Sequence, residues 1–221
     1  MPEPNTPQIS VIIPVFNSHA IVSGCLEALE GQSVERSRYE VIVVDDGSTD
    51  HTCQHVNDQF PWVRLVSIAH GGPSAARNAG ARAARGELIL FTDSDCVPAP
   101  DWIEQMVAAF DDPAVVGAKG VYRTQQKEIV ARFMQLEYQY KYERMARLKW
   151  LDFVDTYSAA YRREIFLQNG GFDTSFTVPS VEDQELSFRL GQKGYKLAFA
   201  RHAAVYHTHD RGLPEYWKRK F

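Results

Sequence analysis

Residues 86–98 read GELILFTDSDCVP, and this stretch decides the fold. Four consecutive apolar residues, 88–91, predict a strand that is buried on both faces, as in a parallel sheet. The strand leads directly into Asp93 and Asp95, which are separated by the small Ser94. Two carboxylates so close to a core strand repel each other unless a cation or a proton neutralises one of them. The stretch therefore predicts a charged site at the end of a buried strand.

The first half of the chain alternates strand and helix patterns. Strand patterns at 9–16, 39–46 and 63–69 are each followed by a helix pattern, and the third of these helices opens at Pro73. Such alternation predicts an α/β fold with a Rossmann-like, mostly parallel central sheet flanked by helices. Ligands of such sheets bind at the carboxyl ends of the strands. No linker or repeat interrupts the sequence, so we expect residues 1–221 to form a single domain.

The second half is less regular. It contains strand patterns at 114–122 and 195–207, and a helix pattern that begins near Val181. A long helix is expected from about 124 to 149, with Ile129, Phe133, Leu136 and Tyr140 on one stripe. We expect this stripe to pack on the sheet. The alternative is a lid or an interfacial surface that holds a lipid-linked acceptor.

Composition and charge exclude several classes of protein. The net charge of −4 gives no general attraction to nucleic acid. The three cysteines are widely spaced and odd in number, which indicates reduced thiols and a cytoplasmic protein. Neither a signal peptide nor a membrane-spanning run is visible. The basic, aromatic tail at 210–221 predicts either a solvated helix or peripheral contact with the inner face of the cell membrane.

The acid pair at Asp93 and Asp95 predicts a metal site. In an extended chain these two side chains point to the same side, because side chains alternate with a period of two. Carboxylate oxygens are the ligands that Mg²⁺ and Mn²⁺ prefer, and such ions keep positions open for substrate phosphates. The alternative is an ordinary turn, since Asp, Ser and Pro cluster in turns.

A second set of polar residues is expected at the same edge of the sheet. Asp46 ends a strand as a bare acceptor that could bind the N–H of a nucleobase, while residues 47–50 have the chemistry of a turn and a helix cap. Gly71 and Gly72 precede a helix and would let a phosphate approach the helix N-terminus. Arg77 lies one turn into that helix, either reaching a base or diphosphate or lying on the surface.

Five segments occur in the order seen in a known family. They are SVIIPVFN (10–17), VIVVDDGSTD (41–50), SAARNAG (74–80), FTDSDCVP (91–98) and VEDQELSFRLGQKGY (181–195). In these segments the chain resembles the family 2 glycosyltransferases, which are inverting enzymes of the GT-A fold that use nucleotide sugars. The resemblance covers nearly the whole chain, from about residue 9 to 209.

The resemblance implies a nucleotide-binding half at about 9–97 and an acceptor-binding half at about 98–209. It assigns Asp46 to a uracil ring, Asp95 to a metal ion, and Asp93 to the metal or the ribose. His207 would reach the metal or diphosphate, with His209 as its competitor. The other nucleotide contacts that we expect are Pro14, Val15, Phe16, Asn17, Gly72 and Arg77.

In the acceptor half, the resemblance implies that Asp183 is the catalytic base and that Glu182 supports it. Gly171 and Phe172 would line the acceptor pocket. Read without the resemblance, Glu182 and Asp183 are simply acids that favour a helix N-terminus.

The implied activity is transfer of one sugar from a nucleoside diphosphate sugar to a glycan or lipid-linked acceptor. This activity would serve cell-envelope polysaccharide biosynthesis. Asp46 favours a UDP-linked donor, although a thymidine nucleotide would present the same edge. The chain lacks the Q-x-x-R-W motif of the processive synthases, which favours single transfer over polymerisation. The alternatives are a non-catalytic module that binds a nucleotide sugar and a nucleotidyltransferase. An oxidoreductase is disfavoured because no G-x-G-x-x-G follows the first strand.

Overall fold

The computed structural model describes residues 7–176, 181–209 and 212–220. Its centre is one eight-stranded sheet with the order β3-β2-β1-β4-β7-β6-β8-β5. The strands are β1 (Ile9–Val15), β2 (Tyr39–Asp45), β3 (Arg64–Ser67), β4 (Leu88–Thr92), β5 (Cys96–Pro98), β6 (Val115–Arg123), β7 (Ser158–Arg162) and β8 (Lys196–His207). The helices are α1 (Val22–Glu30), α2 (Thr52–Gln59), α3 (Pro73–Ala83), α4 (Trp102–Val107), α5 (Ile129–Met145), α6 (Arg163–Gln168), α7 (Glu182–Gln192) and α8 (Leu213–Lys220).

The first four strands form the predicted parallel half of the sheet. β1 pairs in parallel with β2 and β4, and β2 pairs in parallel with β3. Along β1, Val11 and Ile13 pack into one hydrophobic cluster and Ile12 packs into another on the opposite face. Both faces of β1, β2 and β4 are covered in this way, which explains their continuous runs of apolar residues, whereas β3 at the edge is partly exposed.

The other four strands make the sheet mixed. β7 is antiparallel to both β4 and β6, β6 is parallel to β8, and β5 is antiparallel to β8. The pairing of β5 with β8 sets Cys96 opposite His207. This register brings the end of the last strand back to the acidic segment that follows β4.

The helix that we expected at 124–149 is shorter, and its predicted stripe faces solvent. Ile129, Phe133, Leu136 and Tyr140 are between 52% and 86% exposed. The side that packs on the protein carries Ala131, Met134 and Met145, which are buried. The expectation that the stripe packs on the sheet is therefore wrong. Among the described residues, no helix combines the length and apolar character needed to cross a bilayer.

The turn between α6 and α7 differs from its predicted role. Phe172 is 1% exposed and packs edge-on against Phe91 and Phe166, so it belongs to the core and does not line an acceptor pocket. The side chain of Asn78 on α3 holds this turn, because it accepts the N–H of Phe172 at 2.9 Å and donates to the carbonyl of Phe172 at 2.8 Å. Gly171, which directly precedes Phe172, has a φ of +68° and lies next to the side-chain amide of Asn78.

Replacing Gly171 by Ala is expected to lower the free energy of unfolding by about 1–3 kcal/mol. A Cβ would lie 2.4 Å from Asn78 Oδ1, and the left-handed φ adds strain for any residue with a side chain. Urea unfolding followed by circular dichroism measures the loss. The control is Gly191→Ala on α7, where a Cβ meets nothing within 4 Å. Equal stability of the two variants would contradict the expected clash.

Candidate active site

The carboxyl ends of β1, β2 and β4 and the N-termini of α3 and α7 enclose one cleft of about 530 Å³. Asp95 and Asp183, which lie 88 positions apart in the sequence, both line it. Eight other predicted residues also line the cleft, namely Pro14, Val15, Phe16, Asp46, Gly72, Arg77, Asp93 and Glu182. The fold therefore brings together most of the site that the sequence predicts.

The acid pair lies in a turn. β4 ends at Thr92, and the N–H of Cys96 donates to the carbonyl of Asp93 at 3.1 Å. The prediction of an extended chain here is wrong, yet the two carboxylates still converge, because donor atoms of Asp93, Asp95 and Cys96 all lie within 4.8 Å of one another. Burial raises the pKa of the Cys96 thiol well above its ordinary value, so the carboxylates are the donors suited to a hard cation.

His207 lies beside this pair. Its Nε2 is 3.3 Å from Asp95 Oδ2, and this hydrogen bond lowers the pKa of Asp95. The two carboxylates are donors that suit Mn²⁺ or Mg²⁺, whereas an imidazole is a more usual ligand of softer divalent ions. The ring of His209 instead stacks on Tyr138, with centroids 5.6 Å apart, and its backbone binds Gln126. Of the two candidate histidines, His207 is the one that contacts Asp95.

Arg77 is buried, which rules out the surface position weighed for it. Its guanidinium donates to Asp93 at 2.8 Å and to Glu182 at 3.2 Å. Arg77 is 5% exposed and Glu182 is 3% exposed. A buried charge has to be paired, so this arginine holds the end of β4 and the start of α7 in a fixed relation. Its two terminal nitrogens are thereby directed at protein carboxylates.

Asp183 sits in the first turn of α7, where its Oδ1 accepts the N–H of Gln184 at 2.7 Å. Burial raises the pKa of Asp183 above its ordinary value, and the neighbouring charge of Glu182 adds to the rise. The Gln184 N–H and the charges of Arg77 and Lys119 act in the opposite direction. A carboxylate with a raised pKa is a better proton acceptor than an ordinary aspartate.

Asp46 is not the bare acceptor that the sequence suggested. Its two oxygens accept the N–H groups of Gly71 and Gly72 at 2.8 and 2.9 Å, and His70 Nδ1 lies 2.9 Å from Oδ2. The anion at this end of α3 is therefore the protein's own carboxylate. Because the amides of both glycines are already committed, they are not available to a phosphate in this arrangement. The ring of His70 also stacks on Phe16, at 4.5 Å between centroids.

Asn17 lies outside the residues that line the cleft. Its side-chain oxygen accepts the N–H of Thr49 at 2.9 Å, and its own N–H donates to Ser48 Oγ at 2.9 Å. Its φ is +49°, a left-handed conformation that Asn tolerates better than most residues. Asn17 thus joins the loop after β1 to the loop after β2.

The sequence reasoning missed a charged group behind the cleft. Lys119 on β6 is fully buried, forms an ion pair with Asp155 and donates to the Tyr157 hydroxyl at 2.9 Å. A lysine in the middle of an apolar strand pattern was the signal that could have identified it. His70 and Thr156, which also line the cleft, carry no comparable sequence signal.

The chain is similar to several known glycosyltransferases. The model of Glycosyl transferase family 2 matches residues 10–170. The pre-mycofactocin glycosyltransferase of Mycobacterium tuberculosis is 30% identical, over 98% of this chain and 46% of the relative. The mannosyltransferase PcManGT from Pyrobaculum calidifontis, solved with GDP-Man and Mn²⁺, gives a TM-score of 0.77 at 26% identity, over 96% of this chain and 60% of that chain.

A third likeness concerns the fold alone. S. aureus TarS 1–349, solved with UDP, gives a TM-score of 0.69 at 23% identity, over 92% of this chain and 61% of that chain. The chain spans about half the length of the curated relative. The family match covers well over half of the sequence, and the structural likeness covers nearly all of it. The chain belongs to glycosyltransferase family 2 and has the GT-A fold.

Proposed function

We propose that the protein transfers one sugar from a UDP-linked donor to a hydroxyl of a glycan or lipid-linked acceptor, with inversion at the anomeric carbon. The observation that carries the proposal is the shared cleft, which Asp95 enters from the end of β4 and Asp183 from the start of α7. One domain would bind both substrates, the donor through about residues 9–97 and the acceptor through about residues 98–209.

The choice of uridine rests on Asp46. A carboxylate has about four lone-pair positions, and the amides of Gly71 and Gly72 occupy two of them. His70 Nδ1 lies between Oδ2, at 2.9 Å, and the backbone carbonyl of Asp46, at 3.0 Å. One of the remaining positions can accept the ring N–H of uracil. Because PcManGT was solved with GDP-Man and TarS with UDP, the relatives alone do not select the base.

We assign Asp93, Asp95 and His207 to a divalent cation, Mn²⁺ or Mg²⁺. When bound, the ion would neutralise the charge that gathers on the departing diphosphate. PcManGT, a structural relative, was solved in complex with Mn²⁺, which supports the choice of a divalent cation. In this chain the support is the convergence of the Asp93 and Asp95 carboxylates, together with the contact of His207 with Asp95.

The protein residues divide the remaining work. Asp183 takes the proton of the acceptor hydroxyl while the acceptor oxygen forms its bond to the anomeric carbon. The bond from that carbon to the phosphate oxygen breaks on the opposite face, and its electrons leave with UDP. One displacement inverts the carbon, so one base is sufficient. Arg77 and Glu182 hold α7 so that Asp183 faces the donor.

The metal assignment predicts that Asp95→Ala weakens Mn²⁺-dependent binding of UDP by at least about tenfold. Isothermal titration of UDP, with Mn²⁺ and with EDTA, measures this. Asp58→Ala, an exposed aspartate on α2, is the matched control and should bind as wild type does. Unchanged metal-dependent binding in Asp95→Ala would remove the assigned site. Slow donor hydrolysis by the wild type would distinguish a transferase from a protein that only holds the nucleotide sugar.

A further inference from the structure

The exposed stripe on α5 remains unexplained by the active site. Ile129, Phe133, Leu136 and Tyr140 are 86%, 52%, 60% and 66% exposed. They occupy positions i, i+4, i+7 and i+11, so they lie on one face of the helix. A contiguous apolar face on the solvent side of a helix is uncommon in soluble proteins and marks an interaction surface.

The last helix extends this surface. The ring of Tyr216 on α8 meets Phe133 edge-on at 6.0 Å, and its hydroxyl lies 3.5 Å from Glu137 Oε2. α8 adds Leu213 and Trp217, which are 61% and 57% exposed. We call the combined surface the apolar ridge; it consists of Ile129, Phe133, Leu136, Tyr140, Leu213 and Trp217.

The segments that carry the apolar ridge are basic, although the whole chain has a net charge of −4. Lys and Arg outnumber Asp and Glu by seven to three in residues 123–149, and by three to one in residues 213–220. The rest of the molecule is correspondingly acidic. Beside the stripe on α5, Arg132 and Arg144 are exposed together with Glu137 and Glu143, so these four charges balance. The excess of positive charge comes from residues that flank the helix and are also exposed, namely Arg123, Lys127, Arg147 and Lys149. The charge around the ridge therefore complements an anionic surface.

The apolar ridge is connected to the active site along the surface. One groove is lined by Asp95 and His207 of the proposed metal site together with Gln126 and Lys127. A second groove is lined by Gln126, Lys127, Arg132 and Leu136 of the ridge. The two grooves share Thr124, Gln126 and Lys127, so they adjoin each other between Asp95 and Leu136.

We propose that the apolar ridge docks on an anionic phospholipid bilayer, with its aromatic and aliphatic side chains at the acyl boundary and its basic residues at the headgroups. Docking in this way would place the groove that is lined by Asp95 and His207 near the membrane surface. A lipid-linked acceptor would be presented at that surface. Docking on a bilayer selects the lipid-linked class of acceptor over a free glycan, and this selection rests on the proposed function. Bilayer binding itself needs neither donor nor metal.

The test is co-sedimentation with vesicles of phosphatidylcholine that contain roughly 30% phosphatidylglycerol, compared with pure phosphatidylcholine. The wild type should bind the anionic vesicles, and binding should weaken at about 0.5 M NaCl because salt screens the charges. Phe133→Ser/Leu136→Ser should lower the partition coefficient roughly tenfold or more. Phe188→Ser on α7, which removes a comparably exposed aromatic away from the ridge, should leave it unchanged.

Three results would overturn the proposal. They are failure of the wild type to bind anionic vesicles, equal binding by the double variant, and a dimer in solution that the double variant dissociates. The last result would mean that a second copy of the chain covers the ridge. Titration of each variant with UDP and Mn²⁺ separates the two questions, because the double variant should retain nucleotide binding. If the double variant loses vesicle binding but still binds UDP, the loss is due to the apolar ridge and not to the active site. If the wild type does not bind UDP, the assignment as a transferase is wrong, whatever the result with vesicles.

Discussion

Asp183→Asn is expected to lower the rate of sugar transfer by roughly 10²–10⁴-fold while leaving UDP binding unchanged. Asn has nearly the shape of Asp, so α7 and its contacts are retained, but the amide cannot take the proton of the acceptor. Initial rates of transfer or of donor hydrolysis measure the loss, and calorimetry measures the binding. Near-normal turnover in this variant would rule out Asp183 as the base.

The same residue sets the acid side of the pH profile. Burial, with the nearby charge of Glu182, raises the pKa of Asp183 above its ordinary value. The base works only when ionised, so kcat/KM should fall as the pH drops through this raised pKa. The fall therefore begins at a higher pH than it would for an exposed aspartate, and Asp183→Asn should abolish it. If kcat/KM of the wild type stays constant down to the pH at which exposed aspartates titrate, the raised pKa of Asp183 is contradicted.

Arg77→Met should reduce the free energy of unfolding by about 3–5 kcal/mol. The change keeps most of the side-chain volume but removes the charge between Glu182, which is 3% exposed, and Asp93. Both carboxylates then lose the positive charge that lies between them, and the buried position of Glu182 limits compensation by water. Urea denaturation at neutral pH measures the effect.

The control for Arg77→Met is Arg82→Met, an exposed arginine on the same helix. This variant should unfold within about 0.5 kcal/mol of the wild type. A loss below about 1 kcal/mol in Arg77→Met would mean that the buried pairs contribute little to stability. Because Arg77 also positions α7, the variant that remains folded should show a lower rate of transfer.

The sequence predicted the parallel half of the fold because its signal is local. Continuous apolar runs at β1, β2 and β4 and the Pro73 start of α3 need no knowledge of distant residues. Asp93 and Asp95 are found for the same reason. Asp183 lies at the start of α7 and was assigned by the family resemblance, because its local pattern is that of acids at any helix N-terminus.

The remaining features depend on contacts between residues that are distant in sequence. The hydrophobic periodicity of a segment carries no information about such contacts. The hydrophobic pattern of α5 places an apolar stripe correctly but does not say that Ala131 and Met134 form the packed face. Asp46 appeared free because its partners, the amides of Gly71 and Gly72, lie 25 and 26 positions away. The pairing of Arg77 with Glu182 spans 105 positions. Phe172 was assigned to an acceptor pocket from the family resemblance, and the sequence does not reveal its burial among Phe91 and Phe166.

The register of β5 on β8 has a consequence for how the molecule matures. His207 reaches Asp95 only through this pairing, across 112 positions of chain. Closing a loop of this length costs conformational entropy, and the pairing cannot form before the chain has been synthesised as far as residue 207. A growing or partly folded polypeptide therefore holds the two carboxylates well before the imidazole arrives. If these residues hold the cation that we propose, tight binding of that cation will be among the last properties that the newly made protein acquires.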